Sequence, residues 1–211
     1  LADVECDTLI ADCPYSARTH GGQDARVDSW KELQYPAWSP ADVREFVAAM
    51  LPKCRGWFVS ITDDVLGPVW REAYEEHGRY AFPRVPWIDP TRGVRLGGDG
   101  PASSTCDIMV CRPRTREFAS WGSLPGFYIV NGERGCAVRG AKPLALMRAL
   151  VRDYSKPGSV ICDPCAGGGT TARAAQIEGR NFIGAEMDAE THAKAIERLA
   201  QPFTAALFTD T

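Results

Sequence analysis

Apolar and polar positions alternate along this chain in two rhythms. Short apolar runs bounded by turn-forming residues read as strands, and stretches whose apolar positions recur every three or four residues read as helices. Thr8 to Ala11 is a buried strand. Ser39 caps a helix with Pro40 in its first turn, and Val43, Phe46, Val47 and Met50 recur at helical spacing until Pro52. A strand from Gly56 to Thr62, a helix from Val65 to His77 stopped by Gly78, and a strand from Tyr80 to Val85 follow. Asp89 to Gly100 lacks periodicity and reads as a loop, Asp107 to Arg112 as a strand, and the glycine-rich run from Ser120 to Gly140 as a second irregular region. Pro143 to Asp153 is an amphipathic helix with Leu144, Met147, Leu150 and Val151 on one face. Val160 to Asp163 is a strand, Ala166 to Gly169 a glycine turn, Thr170 to Ile177 a helix ended by Gly179, and Asn181 to Glu186 a strand. Asp188 then caps a last helix carrying Ala193, Ile196 and Leu199, and Phe203 to Phe208 is either an added strand or a tail. Strands that alternate with helices in this way predict an α/β sheet built through crossovers.

Composition narrows the class. With 211 residues, 45% hydrophobic and 24% charged, the chain can bury one sizeable core, and a single domain over 1–211 is expected. No window approaches the roughly 18 consecutive apolar residues of a membrane span, and no basic segment leads into an apolar one at the start, so the expected address is the cytoplasm. Position 1 is Leu, from which a short missing lead-in is expected. The eight cysteines sit mostly within apolar runs and are expected to be buried and reduced rather than a disulfide framework. Cys162 and Cys165 have the spacing of a metal or redox pair, but no second pair completes a four-ligand site, and no metal is expected. The formal charge is −3, yet the stretch from Arg84 to Arg148 carries ten basic residues against five acidic ones. That local excess fits a phosphate-backbone contact or a solvated face.

A strand ending in Asp163, three glycines and a helix start form a place where backbone can approach a ligand closely at the carboxyl edge of a parallel sheet. Glu186 ends the next strand, where an acid accepts hydrogen bonds from a ribose diol. A phosphate-binding P-loop needs a Lys after the glycines, and Thr170-Thr171 stands there instead. Asp163-Pro164-Cys165-Ala166-Gly167-Gly168-Gly169-Thr170-Thr171, with Gly184-Ala185-Glu186-Met187-Asp188, resembles the S-adenosylmethionine-binding motif and ribose-binding acid of amino-methylating DNA methyltransferases. Ala141-Lys142-Pro143-Leu144 is similar to the motif that precedes the cofactor strand in that family. The resemblance implies that Asp163 to Thr171 surround the methionine part, that Glu186, with Met187 beside it, holds the ribose, and that Lys142 and Pro143 close the other side. Cys165 stands where the family usually has an aromatic residue.

Asp12-Cys13-Pro14-Tyr15, directly after the first strand, resembles the acidic-Pro-Pro-aromatic catalytic motif of the same family, with Cys13 in place of the first proline. An exocyclic amine is a poor nucleophile because its lone pair is conjugated into the ring. The Asp12 carboxylate and the Cys13 carbonyl can each accept an N–H, Pro14 stiffens the turn, and Tyr15 offers a face on which a flipped-out base stacks. The catalytic motif comes first and the cofactor motif last, which is similar to the circularly permuted β-type subgroup with a Rossmann-like methyltransferase sheet. The resemblance then divides the chain into a catalytic half, 1–119, a small irregular recognition insertion, 120–140, and a cofactor half, 141–211. Arg112, Arg114, Arg116 and Arg139 are the candidate DNA contacts. Trp30, Tyr35 and Trp38 either close over an extruded base or are simply packed. The expected activity is methylation of DNA, adenine N6 rather than cytosine N4, on a short target and with a second copy of the chain as a candidate partner. The alternatives are RNA or a protein amide as acceptor, a catalytically impaired nucleic-acid-binding homologue, a cytosine C5 methyltransferase using Cys13, and a thiol redox protein using Cys162 and Cys165. The Cys-Pro order and the motif order disfavour the C5 reading.

Overall fold

The computed structural model describes residues 4–19, 35–92, 100–133, 138 and 140–202. Arg139, Trp30 and the run from Phe203 to Phe208 lie outside these residues. In chain order the elements are β1 (Thr8–Ala11), α1 (Pro40–Met50), β2 (Phe58–Thr62), α2 (Gly67–Glu76), β3 (Tyr80–Ala81), β4 (Val85–Ile88), β5 (Thr105–Arg112), the single turn α3 (Arg116–Ala119), β6 (Tyr128–Ile129), α4 (Leu144–Tyr154), β7 (Val160–Asp163), α5 (Thr170–Ile177), β8 (Asn181–Gly184) and α6 (Ala189–Ala200).

One mixed sheet has the order β6-β4-β5-β2-β1-β7-β8, with β3 also paired to β5. β1 lies parallel to both β2 and β7, and β7 parallel to β8, so these four strands point their carboxyl ends the same way. β5 runs against them, pairing antiparallel with β2, β3 and β4. Alternate side chains leave the sheet on opposite faces, and both faces are covered. Leu9, Phe58, Met109 and Cys162 pack with Val43, Val47, Trp70 and Tyr74 of α1 and α2. Ile10, Val59, Ile108 and Ile161 pack with Leu146, Met147, Leu150 and Ala174 of α4 and α5.

Local chemistry explains the boundaries. Ser39 and Asp42 form a reciprocal capping box at α1, with Pro40 in its first turn. The Asp188 side chain accepts the Thr191 N–H at 2.8 Å and starts α6. The expected strand from Tyr80 to Val85 is instead two strands. Phe82 still donates its N–H to Val110 at 2.9 Å, but Pro83 has none to give, and the chain resumes pairing with β5 only at Val85. Part of the expected irregular region is also ordered as sheet, because Tyr128 and Ile129 add β6 parallel to β4. Trp87 Nε1 and the Val130 N–H tie that strand down, donating to Val130 O and Ile88 O.

Candidate active site

Two turns leave the carboxyl ends of the neighbouring parallel strands β1 and β7, where a ligand can be held by both. The first holds Asp12 to Tyr15 and the second Pro164 to Gly169. They touch, the Cys13 and Cys165 sulfurs lying 3.1 Å apart. Lys142, just ahead of α4, reaches the same place and donates Nζ to Asp12 Oδ2 at 2.5 Å and to Gly140 O at 3.2 Å. Its ammonium also lies 5.1 Å from the centre of the Tyr15 ring. Tyr15 donates its hydroxyl to Asp12 Oδ1 at 3.4 Å, and burial followed by the Asp12 charge raises the phenol well above its ordinary range. Pro14 is half-buried beside it and Pro143, the N-cap of α4, is buried.

The second turn is organised by two acids. Asp163 is 1% exposed, with Oδ1 accepting the Cys165 N–H at 3.0 Å and Oδ2 accepting the Thr171 hydroxyl at 2.5 Å. Burial pushes Asp163 up to about 7, against the pull of those two hydrogen bonds, and the Asp12 and Glu186 charges add to the rise. Glu186 accepts the Gly167 N–H at 2.8 Å and the Asp188 N–H at 2.9 Å, so it straddles the glycine turn. Ala166 donates to Ala185 O at 2.9 Å, which binds that turn to the end of β8. Gly169 has φ +75° as the N-cap of α5, and a Cβ there would lie 3.0 Å from the Ala195 Cβ. A Cβ on Gly168 would meet Val138 at 2.9 Å, so neither Gly168 nor Gly169 has room for a side chain. Thr170 is buried and its hydroxyl accepts from Arg198 at 2.9 Å, while the Met187 side chain is 83% exposed.

Cys162 and Cys165 face different ways. Cys162 is wholly buried in the core with Cys6 and Cys54, and Cys165 faces Cys13. The seven described cysteines are all free.

Sequence reading missed Asp63 and Arg92. Asp63 directly follows β2 at the same edge, with Oδ2 accepting the Ser16 N–H, the Ser16 hydroxyl at 2.6 Å and the Thr19 hydroxyl at 2.5 Å, while Oδ1 accepts the Leu66 N–H at 3.0 Å. Burial alone raises this acid, but the four donors outweigh it and hold it below the usual carboxylate range. The available signal was an acid directly after a buried strand. Arg92 sits over the Trp87 ring at 5.3 Å and donates to the Cys106 sulfur at 3.1 Å, the sulfur that also lies 4.0 Å from the Tyr15 hydroxyl.

The other candidate arginines are elsewhere. Phe58 pairs with Cys111 and Thr62 with Asp107, so the carboxyl end of β5 lies at the amino end of β2. Arg112 ends β5 and Arg114 and Arg116 follow it, so all three lie across the sheet from Asp12. Arg112 and Arg114 lie over the Tyr80 ring at 4.7 and 5.4 Å. Of the three aromatics expected near the target, Trp38 is packed, 5.2 Å from the Phe46 ring and 6.2 Å from Trp70, and Tyr35 is 38% exposed.

A sheet with acid-bearing turns at the carboxyl ends of adjacent parallel strands defines the class of α/β proteins that bind ligands at that edge. A family model described as DNA methylase, N6_N4_Mtase, matches residues 18–197, beginning just past the first turn and taking in the glycine turn. The chain belongs to this family of N6/N4 amino-methylating DNA methylases. Type II methyltransferase M.BglI of Bacillus subtilis is 29% identical over 137 residues, 58% of this chain and 39% of that protein. DNA adenine methyltransferase YhdJ of Escherichia coli (strain K12) is 40% identical over 58 residues, 28% of this chain and 20% of that protein. The matched stretches thus span well under half the length of these relatives. Among solved structures, the M1.HpyAVI–SAM complex is similar with a TM-score of 0.71 at 20% identity, over 94% of this chain and 91% of that one. PvuII DNA methyltransferase (cytosine-N4-specific) is similar with a TM-score of 0.66 at 14% identity, over 97% and 84%. These likenesses establish the Rossmann-like fold.

Proposed function

We propose that this chain transfers a methyl group from S-adenosylmethionine to the exocyclic amino group of a base in duplex DNA, adenine N6 rather than cytosine N4. The observation that supports it most is the contact of the two turns at one sheet edge, with the Cys13 and Cys165 sulfurs 3.1 Å apart. A base held by the first turn and a donor held by the second would then be neighbours. The donor set suits such a cofactor. The Asp12 and Glu186 charges both act on Asp163, which favours a cationic sulfonium and ammonium there, and Glu186 suits a ribose diol.

When bound, S-adenosylmethionine supplies an electrophilic methyl on a positively charged sulfur. The protein's contribution is positional. Asp12 and the Cys13 carbonyl accept the two N–H groups of the target amine and turn its lone pair toward the methyl, while the Tyr15 ring packs on the extruded base. Lys142 Nζ occupies one Asp12 oxygen at 2.5 Å, so the arriving amine takes the place of that ammonium or shares the carboxylate with it. Asp63 keeps the chain after Tyr15 from swinging away, through Ser16 and Thr19. Arg92, beside Tyr15, supplies positive charge at this edge for the DNA backbone.

All these parts belong to one domain, in which the end of β6 and residues 130–133 form the portion of the candidate recognition segment at the catalytic edge. So short a segment implies a short target. The test is transfer of labelled methyl to unmethylated duplex DNA, with RNA in parallel and Asp12→Ala as control, followed by nucleoside analysis. Label on N6-methyladenine that the variant abolishes supports the proposal, label on N4-methylcytosine replaces the acceptor, and label on RNA alone rejects DNA. Cofactor binding without transfer to either polymer points to an impaired homologue.

A further inference from the structure

We propose that Cys13 and Cys165 are an oxidisable dithiol, converted by a peroxide into a disulfide that ties the catalytic turn to the glycine turn and stops methyl transfer. The bond stands on geometry alone, and its effect on methyl transfer rests on the function proposed above.

The two thiols meet at 3.1 Å, and an S–S bond of about 2.05 Å needs them to close by about 1 Å. Their backbones are suited to it. β1 and β7 are hydrogen-bonded neighbours, with Leu9 opposite Cys162, and continuing that register brings Cys165 within one residue of the position opposite Cys13. Adjacent strands run roughly 4.8 Å apart, within the Cα separations that a disulfide spans. Neither residue is inside a helix or strand, so the closure falls on turns.

Access separates Cys165 from the other described cysteines, all of which are buried, Cys106 at 7% being the most exposed of them. Cys6, Cys54 and Cys162 are at most 2% exposed in the core, whereas Cys165 is only partly buried, at the edge where ligands enter. Cys165 is therefore the sulfur that meets peroxide. Its thiolate attacks one peroxide oxygen, the O–O bond breaks, and the departing hydroxide leaves as water after taking a proton, giving a sulfenic acid. Cys13, 3% exposed, is kept as a thiol by its burial and by the Cys165 sulfur. Its sulfur attacks the Cys165 sulfur, the S–O bond breaks, and the leaving hydroxide departs as water with the Cys13 proton. Two thiols and one peroxide yield one disulfide and two waters.

The consequence follows from where the sulfurs sit. Cys13 supplies a carbonyl next to Asp12, and Cys165 holds Asp163 through its N–H at 3.0 Å. A displacement of about 1 Å at a reacting centre costs on the order of a hundredfold in rate.

The experiment treats the reduced full chain with hydrogen peroxide, blocks free thiols, and maps linked peptides without reduction. Cleavage before Asp12 and before Asp163 separates Cys13 from Cys6 and Cys165 from Cys162. The expected result is a Cys13–Cys165 linked peptide that accumulates in step with a roughly hundredfold loss of methyl transfer, both reversed by dithiothreitol. In Cys165→Ala, peroxide produces no further loss relative to the untreated variant. Sulfinic acid at Cys165 without a link, or links confined to Cys6, Cys54 and Cys162, overturns the dithiol. A Cys13–Cys165 link with unchanged transfer overturns the switch. If the reduced chain transfers no methyl at all, the proposed function fails, while the peptide map still decides whether the bond forms.

Discussion

Asp163 is a carboxyl group so short of water that it titrates near pH 7, and its surroundings are otherwise acidic. A cationic ligand favours the ionised form, so binding releases a proton and strengthens as pH rises. For a group at about 7, S-adenosylmethionine affinity is expected to rise about tenfold from pH 6 to pH 8. Calorimetry in buffers of different ionisation enthalpy checks this, and a flat profile in the wild type, or an unaltered slope in Asp163→Asn, contradicts it. The same group also affects folding with a worked sign. Its folded value lies above the unfolded one of about 3.9, so its contribution to stability is full below that pH and is lost as pH rises through about 7. Asp12 acts through its position. Replacing it with Ala removes the acceptor for both the amine and Lys142, and a loss of about a hundred- to a thousandfold in transfer rate is expected, with the far-ultraviolet spectrum unchanged.

At the scale of elements, the catalytic turn is held by a residue outside it. Asp63→Ala leaves the Ser16, Thr19 and Leu66 donors without their carboxylate, which should cost about 2–3 kcal/mol in urea unfolding and lower transfer while S-adenosylmethionine still binds. Equal loss of cofactor binding would show that Asp63 serves the whole sheet rather than the turn. The glycine turn fails differently. Gly169→Ala places a side chain at φ +75° and against Ala195, so about 1–2 kcal/mol of strain falls on the start of α5. Cofactor affinity should drop before global stability does. β1, β7 and α5 have in the structure the bounds that apolar runs and flanking Gly, Asp and Thr imply, because those signals are local. Pro83 was local too, but its effect appeared only once β5 was in place to be paired.

For the molecule as a whole, strand direction decides which charges can act together. Arg92 is at the catalytic edge and Arg112, Arg114 and Arg116 are across the sheet from it, although all four lie in the same basic stretch of sequence. Arg92→Ala should lower the salt slope of duplex binding by about 0.9, and Arg114→Ala should leave it unchanged, as measured by fluorescence anisotropy over a salt series. The reverse ranking would place the duplex on the far edge.

What the sequence by itself determined is the α/β alternation, the two motif-bearing turns, their order along the chain, and the family to which they point. These depend on residue type and spacing over a few positions, which a linear reading contains. Only the tertiary structure decided that Lys142 rests on Asp12, that Asp63 anchors the chain after Tyr15, and that Cys165 meets Cys13 rather than Cys162. Each of these joins residues 44 to 152 positions apart, or turns side chains of one short motif to different neighbours. Such pairings are set by strand order and direction in the sheet, which only the assembled long-range hydrogen bonds define.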